Sequence, residues 1–106
     1  MPKPIDKKLI DAQTATYTSE VLDVMGHYNL TTIAWGTGTV SATVLIEGSP
    51  DGVNWMTLLT HTLSTTTPNK QAAANQYVRF VRARISVYTN GTISCTIGLT
   101  GFEGAV

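Results

Sequence analysis

Apolar and polar residues alternate most clearly around a short turn in the middle of the chain. Val40, Ala42, Val44 and Ile46 share one side of a period-2 pattern, with Ser41, Thr43 and Glu47 on the other, as in a half-buried strand. Ser49-Pro50-Asp51-Gly52 follows. Proline pre-sets φ for a turn, aspartate bonds to its own backbone, and glycine accepts a positive φ without a Cβ clash. Trp55, Leu59 and Leu63 then mark a second strand in a common phase. A β-hairpin is predicted about this turn, with Trp55 in the core because it keeps step with Leu59.

Elsewhere the same reading predicts strands over residues 14–18 and 20–25, a break at Gly26-His27, and a strand over Tyr28–Trp35. In that strand Tyr28, Leu30 and Ala34 take one side, with Ile33 and Trp35 on the other. Gly36-Thr37-Gly38 reads as a turn into the central hairpin, and residues 64–74 as a polar loop. Over Tyr77–Tyr88, Val78 and Phe80 share one phase, while Val81, Ala83, Ile85 and Val87 share the other. A bulge near Phe80–Val81 reconciles them and sends Arg79, Arg82 and Arg84 outward. Asn90-Gly91 is a strong hairpin signal, with Thr92–Phe102 returning and placing Ile93, Cys95, Ile97 and Leu99 inward. Residues 1–13 lack a period and read as an extended N-terminal arm, in which Leu9 and Ile10 are apolar enough to dock on a neighbour. Residues 14–106 form the domain proper. Seven or eight strands without helical period predict an all-β, antiparallel sandwich. It is jelly-roll-like in this reading, since the Cys–Trp–Cys framework of antibody domains is absent.

Composition narrows the picture. The 106 residues suit one domain with a modest core. Charged residues make up 13%, about half the usual share, and the eighteen threonines favour pleated surfaces. The deficit favours a chain whose outside is largely threonine and serine, or one that buries much of its outside against copies of itself or a partner. The net charge of +0 lacks the electrostatic footprint of a nucleic-acid binder. Cys95 is alone, so an internal disulfide is excluded, and its apolar strand register marks it as a core thiol. The first residues carry no apolar signal-peptide core, and no apolar run reaches the length of a membrane span. Synthesis and folding in a reducing cytoplasm are therefore expected.

Candidate chemistry is sparse. His27 and His61, with one cysteine and no clustered carboxylates, do not make a zinc set. Gly36-Thr37-Gly38 precedes no helix that could cradle a phosphate. Glu47 and Asp51 flank a tight turn, where solvation and capping explain them better than acid–base work. No catalytic, cofactor-binding or metal-binding residue is predicted, no cofactor is expected, and the chain is read as not an enzyme. Arg79, Arg82 and Arg84 have two readings of equal weight. They are a solvated face paired with Glu20, Asp23 or Glu47, or an interface stripe between subunits. Trp35, ending a strand beside glycines, is the more open of the two tryptophans to a surface role.

The run Ile46-Glu47-Gly48-Ser49-Pro50-Asp51-Gly52-Val53-Asn54-Trp55, with Tyr77-Val78-Arg79-Phe80-Val81-Arg82 further on, resembles a pattern found in small structural proteins of tailed bacteriophage particles. The segment Leu9–Thr16, leading into Ser19-Glu20-Val21-Leu22-Asp23-Val24, is similar in kind. That resemblance implies a β-sandwich virion protein, and within it a head decoration or cement protein. Its partners would be the major capsid protein and copies of itself, as a homotrimer, with neither nucleic acid nor membrane involved. Leu9 and Ile10 of the arm, Arg79, Arg82 and Arg84 of the strand, and Trp35 would then be the binding residues, and loss of residues 1–13 would abolish particle binding without unfolding the domain. Ser49-x-Asp51-Gly52-x-x-Trp55 is also similar to wording in carbohydrate-binding sandwiches. The alternatives are thus a glycan-binding module of a tail fibre or secreted protein, or a tail or baseplate subunit.

Overall fold

Two long strands carry the architecture. In the computed structural model, which describes residues 5–24, 27–73 and 78–101, β4 (His27–Ser49) and β7 (Phe80–Gly101) run antiparallel from His27↔Gly101 to Ser49↔Phe80. The far edge of β7 takes β1 (Ile5–Gln13), β2 (Tyr17–Thr18) and β3 (Leu22–Asp23) in succession. The far edge of β4 takes β6 (Asn69–Ala73) along residues 30–34 and β5 (Met56–Leu63) along residues 42–48. The seven strands form one antiparallel sheet of order β1-β7-β4-β5, with β2 and β3 on β7 and β6 on β4. The sheet folds over its own core, giving the expected all-β, sandwich-like architecture. Contact between its halves is direct: Thr32, early in β4, bonds His61, which β5 places opposite Val44 late in β4.

Both long strands bend at one level, and glycine makes the bend possible. Register jumps between Thr37↔Thr92 and Ser41↔Asn90, where Gly38 and Gly91 adopt φ of 83° and 107°. A Cβ on Gly91 would also lie 3.2 Å from the Thr39 carbonyl oxygen. This corrects two expectations. Gly36-Thr37-Gly38 and Asn90-Gly91 are corners within strands, not a turn into the central hairpin and a hairpin of its own. An Asn-Gly turn closes a hairpin when its flanks pair with each other. Here the flanks of Asn90-Gly91 pair instead with β4, whose glycine corner matches theirs. The predicted hairpin about residues 49–52 does form, as β4 and β5.

The N-terminal segment is a further correction. Residues 5–13 are not an extended arm but a strand of the sandwich, paired to residues 93–99 of β7. Lys8 faces Thr96 and Ile10 faces Cys95, so Leu9 is an extra residue on β1. That bulge turns two consecutive side chains to the core, leaving Leu9 4% and Ile10 0% exposed. Both are buried in this chain's own interior rather than offered to a neighbour. They pack with Leu30, Ala34, Val44, Ile46, Val81, Ala83, Ile85, Ile93, Cys95, Ile97 and Leu99.

Smaller phase changes account for the remaining differences. The ladder from Phe80 to Ile85 is unbroken against Ser49–Val44, so the bulge expected at Phe80–Val81 is absent. Phase shifts just ahead of the strand, where the Arg79 N–H donates to the Ser49 carbonyl at 3.1 Å and the Arg79 carbonyl accepts from Val24 N–H at 2.9 Å. A bulge at Ser86 turns Val87, expected inside, out to solvent. The expected loop over 64–74 contains β6, a polar strand whose Asn69 and Gln71 bond into a buried network described below. The predicted ends at Met25, Gly26, Ala74, Tyr77 and Phe102 lie outside the described residues.

Candidate functional site

The turn between β4 and β5 is held by its own side chains. The Asp51 carboxylate accepts from Val53 N–H at 2.8 Å, from Asn54 N–H at 2.8 Å, from Asn54 Nδ2 at 2.7 Å and from the Ser49 hydroxyl at 2.9 Å. The backbone N–H groups of Asn54 and Val53 hold this carboxyl far below the usual carboxylate range. Ser49 Oγ accepts in turn from Gly52 N–H at 2.8 Å, with Gly52 at φ 78°. Asp51 is thus a capping residue, as its position in the sequence implies.

The turn delivers Trp55 to the face of the sheet opposite the core. Ile46 pairs with Leu59 and Glu47 with Thr57, so Leu58 is an extra residue on β5. The bulge puts Trp55 out of step with Leu59. Trp55 is therefore half-buried on the outer face, not in the core, and the Arg82 guanidinium lies 4.1 Å from its ring centroid. Glu47 sits directly across the strand pair from Arg82. Its Oε1 accepts from Arg82 Nε at 2.8 Å; its Oε2 accepts from Arg84 Nη2 at 3.0 Å and Nε at 3.2 Å. The Glu47 side chain is 7% exposed, against 23% for Arg82 and 37% for Arg84. Burial alone would raise the Glu47 pKa, but the bonds from Arg84 and Arg82 and their charges outweigh it and lower it. One carboxylate and an indole shelf thus fix two guanidinium groups in place, leaving a local excess of one positive charge.

The structure brings together only part of the sequence-predicted set. Arg82 and Arg84 meet on Glu47, one of the three partners the sequence suggested. Arg79 stands apart, 3.6 Å from Asp23 and over the ring of Phe80. Glu20 pairs with Lys7 at 2.9 Å. Trp35 is half-buried, with Lys8 Nζ 5.8 Å from its ring centroid. Trp55 is the member of the cluster that the sequence reading missed. Its phase relative to Leu59 depends on a bulge that the alternation of Leu59 and Leu63 does not reveal.

A second polar group lies inside the sandwich. His61, fully buried, bonds Asn69 Oδ1 through Nδ1 at 2.7 Å and Thr32 Oγ1 through Nε2. Asn69 Oδ1 also accepts from Gln71 Nε2 at 3.3 Å, which assigns the proton to His61 Nδ1 and leaves Nε2 accepting from Thr32. Burial lowers the His61 pKa below its ordinary 6.5, although the bonds to Asn69 oppose this. The unfolded chain then takes up the proton first, so stability present above that pH is lost as pH falls. Urea unfolding should show the midpoint dropping between about pH 7 and pH 5, and His61→Gln should flatten that dependence. An equal slope in both proteins would rule out His61 as its source. Side chains of His27 and Tyr28 lie outside the description.

Burial pushes the Cys95 thiol up to about 12, which removes its reactivity at neutral pH. Among the described residues no group of three His, Cys, Asp or Glu side chains could hold a metal ion. The Glu47 and Asp51 carboxylates are occupied as acceptors, so what the site offers is fixed positive charge beside an aromatic ring.

Fold and surface together define a small antiparallel β-sandwich, and solved structures share that fold. The SPBc2 prophage-derived protein YomS superposes with a TM-score of 0.75 at 14% identity, covering 93% of this chain and 94% of that one. The PBSX exported protein XepA gives 0.74 at 14% identity over 96% of this chain, which spans 39% of XepA. The K1 cleaved adhesin domain of Lys-gingipain from Porphyromonas gingivalis W83 gives 0.63 at 11% identity, over 94% of this chain and 75% of that one. No protein-family model and no curated protein sequence matches the chain.

Proposed function

We propose that this chain is a non-enzymatic structural protein of a bacteriophage particle, and within that class a decoration protein that binds the capsid surface as a small homo-oligomer. The observation that carries the reading is the end-to-end match with a prophage-derived protein: 94% of YomS is the same sandwich. The phage-like wording of residues 46–55 and 77–82 points the same way, as does a chain poor in charge and rich in threonine. Its work is binding. Many copies, each adding a modest interface, stabilise a shell by mass action. Co-sedimentation tests it: the purified protein should pellet with expanded capsids of the parent phage and raise their heat resistance. Protein that stays in the supernatant at saturating capsid excludes decoration.

The glycan-binding alternative has one observation in its favour, the half-exposed Trp55 ring beside Arg82 on a fold shared with an adhesin domain. Under it, Trp55→Ala would abolish binding on a glycan array while leaving the fold intact. Under the decoration reading, no glycan is bound by either protein.

A further inference from the structure

Among the described residues, β1, β2, β3, β5 and β6 each leave one side of the ladder unpaired. Free edges invite pairing with other chains, and proteins blunt them with charge, brevity or bulges. The β1 edge carries Asp6, Lys7, Lys8 and Asp11; β2 and β3 are two residues long; β6 is five residues long and carries Lys70. β5 is different. Met56-Thr57-Leu58-Leu59-Thr60-His61-Thr62-Leu63 contains no Asp, Glu, Lys or Arg, no proline and no glycine. Its one bulge, at Leu58, leaves Leu59–Leu63 in unbroken register with Ile46–Ala42. Thr60 and Thr62 are exposed, whereas His61 and Leu63 are buried.

We propose that β5 pairs antiparallel with the β5 of a second copy of this chain about a two-fold axis, joining two sandwiches edge to edge. The strand is self-complementary. In such a pairing residues i and j meet at a constant sum. At a sum of 122, Thr60 of each copy meets the outward Thr62 of the other, Leu59 meets Leu63, and His61 meets His61 at the axis. Threonine pairs across strands are favourable, and a one-residue slip is resisted because it would flip the buried set outward. A second copy fits this edge better than a foreign partner, because β5 carries no charge for a foreign partner to read, and a chain of net charge +0 does not repel its own copies. Met56, 51% exposed at the start of β5, would extend over the turn that follows Leu63 in the other copy. This contact concerns copies of the chain and does not depend on what they are mounted on. It makes an even-numbered assembly, in place of the trimer that the sequence resemblance implies.

Light scattering on the purified full chain tests the contact. The expected mass is that of a dimer. Thr60→Lys with Thr62→Lys sets like charges against each other across the axis while both side chains point to solvent in the monomer. That protein should fall to half the mass, as should Thr60→Glu with Thr62→Glu, and a mixture of the two should return to the dimer. Hydrogen exchange of the unmodified protein gives a readout free of mutation: amides of residues 56–63 should exchange more slowly in concentrated than in dilute solution. A monomeric unmodified protein, a dimer unaffected by the lysines, or exchange independent of concentration would each overturn the pairing.

Discussion

Ile10→Ala should destabilise the domain by about 2–5 kcal/mol, the usual cost of truncating a fully buried isoleucine. Ile10 is 0% exposed and stands opposite Cys95 at the centre of the β1–β7 ladder. The bulge at Leu9 commits both neighbours to the core, so the cavity cannot be filled by turning the next side chain inward. Against a total stability of about 5–15 kcal/mol for a small domain, that loss should lower the urea midpoint markedly at an unchanged slope. Deleting residues 1–13 goes further. It removes β1 from the edge of β7 and uncovers Ile93, Cys95 and Ile97, so the cooperative transition should disappear. A detachable arm predicts the opposite, with folding intact and only particle binding lost. An Ile10→Ala protein within about 0.5 kcal/mol of the parent, the range of a neutral surface change, would restore the arm.

That contrast also marks where sequence reading stops. The hairpin of β4 and β5 is legible because its alternation and its Ser49–Gly52 turn are local, and the structure keeps both. Asn90-Gly91 has an equally strong local signal, yet its flanks pair with residues more than forty positions away, and no local propensity carries that information. Leu9 and Ile10 read as an apolar spot in an aperiodic segment because a bulge makes consecutive residues point the same way, which erases the period that alternation depends on. The same cause hides Trp55. The meeting of Arg82 and Arg84 on Glu47 was visible as one of three possible partners. Choosing among them requires the β4–β7 register, which the long strand pairing sets and the alternation does not.

Glu47→Gln should cost about 2 kcal/mol. Removing one partner of a fully buried ion pair costs about 3–5 kcal/mol, but Arg82 and Arg84 are 23% and 37% exposed, so water recovers part of it. The substitution keeps the shape and removes the charge, leaving two guanidinium groups two residues apart on β7 with no anion between them. The pH dependence separates charge from packing. The Glu47 pKa lies below its ordinary 4.5 in the fold, so its contribution is fully present above that value and is lost as pH falls through the lower, folded one. The parent protein should therefore lose this increment in acid while the glutamine variant has none to lose, and their unfolding free energies should converge. Added salt at neutral pH should narrow the gap only slightly, because the carboxylate is screened far less than an exposed one. A gap that stays constant from neutral to acid pH would mean that Glu47 acts by filling space, and that its charge does not hold the two arginines.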